Sequence, residues 1–160
     1  MRDCAGVMRG RVILWPVGLP LLHHEAFIQF FLLVNHALNI TWNTAGGAYK
    51  TKFQSALARG NYPYLVMHAN PDINSLNTAG EDQYVTVQVK DNAGRTASAE
   101  TRPLLYPNTW TNETILQTLR IPFSTFSNQG IDVDAIKEID LLTNVRAKGS
   151  LYFDEMQLSY

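Results

Sequence analysis

Between residues 84 and 90 apolar and polar side chains take turns, and this alternation constrains the chain more than any other feature. Val85, Val87 and Val89 alternate with Tyr84, Thr86, Gln88 and Lys90. A period of two puts the valines on one side of a strand and the polar residues on the other, as in a sheet with one face packed and one face wet. Asp91-Asn92-Ala93-Gly94 follows, with a glycine able to take positive φ, and residues 95–101 alternate again. Residues 83–101 therefore predict a β-hairpin.

The same period recurs along the chain. Leu38, Ile40 and Trp42 share a face opposite Asn39, Thr41 and Asn43, which makes Trp42 a core residue. Residues 62–68 are rich in aromatic and branched side chains. Ile115, Leu119 and Ile121 share a face in a strand that Pro122 ends. Residues 137–143 and 151–160 give two more strands, parted by residues 144–150. Two stretches read as helical: residues 52–59, stopped by Gly60, and a turn near residues 133–136. Short strands parted by polar turns predict an all-β protein, an antiparallel β-sandwich or barrel.

Composition fits that reading. At 160 residues the chain is one domain with room for a real core. Charged residues make up 17%, below the roughly 25% usual for soluble domains. The 13 Lys and Arg against 14 Asp and Glu give a net charge of −1, which excludes a basic field for nucleic acid or anionic lipid. A single cysteine, Cys4, excludes an internal disulfide framework and a Cys-based zinc site.

Composition changes near residue 36, which divides the chain into an apolar N-terminal arm, 1–36, and a β-sandwich domain, 37–160. A secretion signal in residues 1–36 is opposed by Asp3, by Pro16, Gly18 and Pro20, and by the lack of an A-x-A site before His23. A membrane span would have to carry Pro16, Pro20, His23, His24 and Glu25 through hydrocarbon. Phe27, Phe30, Phe31 and Val34 fall on one helical face, so a helix or extended arm packed on the domain is expected.

The last third carries a resemblance. Residues 116–126, LQTLRIPFSTF, form a strand ending in a proline turn. Ile131-Asp-Val-Asp-Ala-Ile136, Glu138-Ile-Asp-Leu141 and the closing residues 149–158, GSLYFDEMQL, follow. This succession, with the strand ending at Gly94 and Leu105-Tyr-Pro107, resembles galactose-binding-like jelly rolls. That family includes carbohydrate-binding modules and accessory domains of secreted bacterial hydrolases. Residues 1–36 do not show the family's opening strand, so the arm is atypical. The resemblance implies a jelly-roll sandwich and a carbohydrate or glycan-bearing surface as partner. It implies no required cofactor, but a structural Ca²⁺ held in part by Asp154.

The residues themselves offer several chemistries. With Met156 and Leu158 inward, strict alternation turns Asp154 inward too, and a buried carboxylate must be paired or bind metal. Sugar rings stack on flat side chains. Trp110 stands among Asn108, Thr109, Thr111 and Asn112 with no alternating partner, so Trp110 leads as a ligand platform, then Tyr106 and Tyr64. Adjacent His23 and His24, with His36 and His68, lack any zinc spacing. There is no G-x-S-x-G elbow. Glu138 and Asp140 face the same way in a strand. With Asp154 and Glu155 they are the best carboxylates for glycoside hydrolysis, which needs two carboxyls roughly 5–10 Å apart. An outward charged stripe is the simpler account of Glu138 and Asp140. Asn39-Ile-Thr41 and Asn112-Glu-Thr114 match the glycosylation sequon, with Asn39 poorly placed inside a strand.

Three functions stand side by side. The first is a non-catalytic carbohydrate-binding or accessory module of a secreted bacterial protein. The second is a small secreted hydrolase using Glu138, Asp140, Asp154 or Glu155. The third is a structural domain that stabilises a neighbouring catalytic domain or an oligomer through residues 12–34.

Overall fold

The computed structural model describes residues 37–72, 77, 83–102, 104 and 116–160. The expected N-terminal arm, Cys4, three of the four histidines, Tyr106 and Trp110 lie outside them. Among the described residues, eight strands and one short helix run β1 (Leu38–Trp42), β2 (Gly47–Leu57), β3 (Tyr64–Pro71), β4 (Thr86–Asp91), β5 (Thr96–Glu100), β6 (Gln117–Pro122), α1 (Phe123–Ser127), β7 (Ile136–Thr143) and β8 (Gly149–Ser159). No described helix is long and apolar enough to cross a membrane.

The strands form two four-stranded antiparallel sheets, ordered β1-β8-β3-β6 and β2-β7-β4-β5. Apart from the β4-β5 hairpin, consecutive strands cross between the sheets, as in a jelly roll. The inner faces meet in one core. Leu65, Met67, Leu119, Ile121, Leu151, Met156 and Leu158 come from the first sheet, and Val85, Val87, Val89, Ile139 and Leu141 lie in or beside the second. Alternation in the sequence is what sorts these residues inward. Trp42 closes one end of the core, its Nε1 donating to the Arg146 carbonyl at 3.0 Å.

The hairpin at Gly94 forms as the sequence predicts. Gly94 has φ 83° and donates to the Asp91 carbonyl at 3.0 Å. Asp91 is buried beneath the turn. Its Oδ1 accepts from the Arg95 amide at 2.9 Å, and its Oδ2 accepts from Arg95 Nε at 2.6 Å and the Asp132 amide at 3.0 Å. The Asp132 amide, with the Arg95 contacts, overcomes the effect of burial and holds this carboxyl below its usual range. Residues 133–135 make the expected turn before β7.

Residues 52–59 are not a helix. They belong mostly to β2, paired to β7 from Gly47↔Thr143 to Lys52↔Glu138. Thr51 and Phe53 are buried while Lys50, Lys52 and Gln54 are exposed, a period of two. Lys, Gln and Ala favour helix locally, but the sheet partner overrides that preference. The helix lies instead at Phe123–Ser127, straight after Pro122, whose fixed φ of −62° suits an N-cap. Phe123 and Phe126 anchor it, fully buried one turn apart.

Candidate functional site

β7 lies between β2 and β4, so side chains on its outer face are flanked on both sides. Register makes two rows across this face. Lys50, Asp140, Gln88 and Ser98 form one; Lys52, Glu138, Lys90 and Thr96 form the other. The alternate residues Ile139 and Leu141 face the core. Glu138 and Asp140 thus point away from the core, as the sequence predicts. Yet they are only 7% and 3% exposed. They form a recessed polar floor rather than a solvated stripe.

Lysines line that floor. Lys50 Nζ is 3.5 Å from both Glu138 Oε1 and Asp140 Oδ2, and Lys52 Nζ is 3.4 Å from Glu138 Oε2. The lysine heads stay largely in water while their stems lie along the sheet. Burial, then the nearby Glu138 charge, pushes the Asp140 carboxyl up to about 6, against the pull of Lys50. Burial also pushes Glu138 upward, but Lys52, a hydrogen bond from Asp140 and Lys50 together hold it below its ordinary range. Asp140 and Glu138 attract the Lys50 proton and raise that group. Asp140 therefore takes up a proton as pH falls through about 6, while Glu138 stays ionised.

Asp140 Oδ1 is buried and receives no hydrogen bond from any described donor. A buried acceptor left bare costs free energy until a donor reaches it. Beside it, Gln88 Nε2 makes a long 3.4 Å bond to Ser98 Oγ. Gln88 and Lys50 can donate to a hydroxyl laid on this row, and Asp140 Oδ1 can accept from one where the side chains covering it move aside. Tyr84 precedes β4 with the same parity as Thr86 and Gln88, and the Arg102 guanidinium lies 5.7 Å from its ring centroid. Gln88, Lys50 and Tyr84 were not among the sequence candidates. The alternation of Tyr84, Thr86, Gln88 and Lys90 against three valines is the signal that places Tyr84 and Gln88 on the outer face.

Asp154 needs correction. Leu151 and Phe153 face the core, and so do Met156 and Leu158. Strict alternation cannot do both. The phase shifts by one at Asp154–Glu155, where the pairing of β8 with β3 slips and Glu155 adopts φ 45°. This bulge turns Asp154 and Glu155 outward, half-buried. Asp154 Oδ1 accepts the Glu155 amide at 2.9 Å, so it caps its own bulge. Glu155 Oε2 lies 3.5 Å from His68 Nδ1. The inward facing expected of Asp154 is thus not the one found. Among the described residues, no three His, Cys, Asp or Glu side chains are gathered to hold a metal. A left-handed Glu carries backbone strain of about 1 kcal/mol, so Glu155→Gly is expected to match or exceed wild-type stability in chemical denaturation. A loss beyond about 1 kcal/mol would show that the His68 contact outweighs the strain.

Tyr64 lies on the outer face of the first sheet, half-buried, with the Arg120 guanidinium 4.4 Å over its ring. The structure therefore brings Glu138 and Asp140 together on one sheet and puts Tyr64, Asp154 and Glu155 on the other. Asn39 of the first sequon is engaged in the strand pair, bonded to Ser150 Oγ at 3.2 Å.

The two sheets in this order define an antiparallel β-sandwich of jelly-roll type. Solved structures share it. The family 30 carbohydrate-binding module of cellulosomal cellulase Cel9D-Cel44B of Clostridium thermocellum aligns with a TM-score of 0.58 at 11% identity, over 86% of this chain and 84% of that one. The family 11 carbohydrate-binding module from the same organism, in complex with a β-1,3-1,4-mixed-linked tetrasaccharide, aligns at 0.53 and 12% identity, over 84% of this chain and 81% of that one. No protein-family model and no curated protein matches the sequence. At these identities the likeness establishes the fold.

Proposed function

We propose that this chain is a non-catalytic carbohydrate-binding module, working as an accessory part of a secreted bacterial protein. In this reading residues 37–160 are the binding unit and residues 1–36 stand outside it. The observation that carries it is the buried, unserved Oδ1 of Asp140 on the outer face of a jelly roll of this type. A sugar hydroxyl donates to that oxygen once the side chains over it move aside, and neighbouring hydroxyls accept from Lys50 and Gln88. Such fixed polar groups set orientation and specificity, while flat aromatic faces add area. Trp110 and Tyr106 supply such faces in the same reading.

The first probe follows from the ligand held by the family 11 neighbour. Electrophoresis of the whole chain through gels containing soluble mixed-linkage β-glucan, xylan or mannan is expected to retard it in at least one. Trp110→Ala is expected to reduce that retardation. Equal mobility in every gel, with and without polysaccharide, would end the proposal. The hydrolase alternative predicts release of reducing sugar from the retarding polymer, lost in Glu138→Gln.

A further inference from the structure

We propose that a second sugar-contacting surface lies on the opposite sheet, a tyrosine platform formed by Tyr160, Tyr62 and Tyr64 and set by Arg120. This rests on the carbohydrate-binding reading above and shares with its sequence candidates only Tyr64. Tyr160 follows the end of β8 and is 59% exposed, the one large hydrophobic residue so exposed among those described. Exposed rings usually cost order, because a free side chain samples many rotamers. Tyr160 is instead held. Its ring centroid is 4.8 Å from that of Tyr62 at an interplanar angle of 57°. Its carbonyl accepts a hydrogen bond from Arg120 Nη2. The same guanidinium lies over the Tyr64 ring, so one arginine ties the end of β8 to the start of β3.

The strands explain why these groups meet. Tyr64 is in register with Pro122 of β6 and Ser159 of β8, at the end of the sheet where β3 begins. Arg120 is two residues before Pro122, on the same outer face. The result is a rigid, exposed aromatic flanked by an arginine and by the hydroxyl of Ser159. Apolar C–H faces of a pyranose suit the ring, and ring hydroxyls suit the arginine and serine. Ordering before contact limits the entropy that binding must overcome. The matching ligand is a neutral polysaccharide chain, engaged by stacking here and by hydrogen bonds at Asp140 on the other sheet. Two surfaces on opposite sheets would let one module touch two chains, which raises retention on polymer without raising affinity for a short oligosaccharide.

The test is a titration of the whole, isotopically labelled chain with neutral hexasaccharides of β-glucan, xylan and mannan, followed through backbone amide shifts. Expected are saturable shifts at Ser159, Tyr160 and Tyr62, abolished in Tyr160→Ala, beside an independent set at Lys50, Gln88 and Asp140. In retention on insoluble polymer, Tyr160→Ala is expected to lose about fivefold, with the hexasaccharide shifts at Lys50, Gln88 and Asp140 unchanged. Shifts confined to Lys50, Gln88 and Asp140 would overturn the platform and leave the functional reading standing. Shifts at neither set, with any of the sugars, would sink the functional reading and the platform with it. Tyr62→Phe keeps the ring packing and is expected to retain binding, which separates loss of stacking from loss of fold.

Discussion

Replacing Asp140 with asparagine is expected to weaken glycan binding about tenfold and to flatten its pH profile. The carboxyl is held up to about 6 by burial and by the Glu138 charge. A hydroxyl donor binds the ionised oxygen more strongly than the protonated one. Wild-type affinity is therefore expected to rise as pH increases through about 6, and the variant's should not. Stability runs the other way. A carboxyl whose folded value is raised contributes stability that is complete below the unfolded value of about 3.9 and lost as pH climbs through the folded value. Screening by the exposed lysine heads reduces this to on the order of 1 kcal/mol. Glu138, held low, acts in the opposite sense: its contribution is present above its unfolded value of about 4.3 and lost as pH falls. The difference between wild type and Asp140→Asn isolates the first effect. Calorimetric titrations at several pH values, paired with denaturation curves, measure both. Parallel pH profiles for the two proteins would place Asp140 outside the binding machinery.

Gly149→Ala is expected to cost about 3 kcal/mol or more. Gly149 pairs with Trp42 across β1 and β8. A Cβ there would lie 2.5 Å from Trp42 Cζ2 and 2.8 Å from Cη2, and would strike the Gln83 amide oxygen as well. Trp42 cannot retreat easily: it is buried, and its Nε1 is bonded to Arg146. Gln83 is buried too. Combining the change with Trp42→Phe removes the ring carbons that clash. The double variant should therefore be less destabilised than the sum of the single ones, a coupling that chemical denaturation detects. Additive losses, or a Gly149→Ala protein as stable as wild type, would contradict the packing of β1 against β8.

Much of the fold was legible because alternation is a strong signal wherever one face is buried. Val85, Val87 and Val89 specified β4, and Leu38, Ile40 and Trp42 specified β1, because their outward neighbours are plainly polar. β2 was misread since Lys52, Gln54 and Ala56 are good helix formers whose sheet partner is more than eighty residues away. The sequence marks the β8 bulge only by the slip of apolar phase from Leu151 and Phe153 to Met156 and Leu158, since the residue at positive φ is a glutamate and not a glycine. One extra residue reversed the facing of Asp154. The site was half legible. The sequence put Glu138 and Asp140 on one outward face, but not their burial, which depends on the flanking strands β2 and β4 and on Lys50 and Lys52.

The most direct measurement is a crystal structure of the chain grown with a soluble oligosaccharide that retards it. The prediction is a sugar lying across β2, β7 and β4, with a hydroxyl within hydrogen-bonding distance of Asp140 Oδ1 and others at Lys50 and Gln88. Sugar bound elsewhere on the sandwich, with that row of side chains untouched, would contradict it.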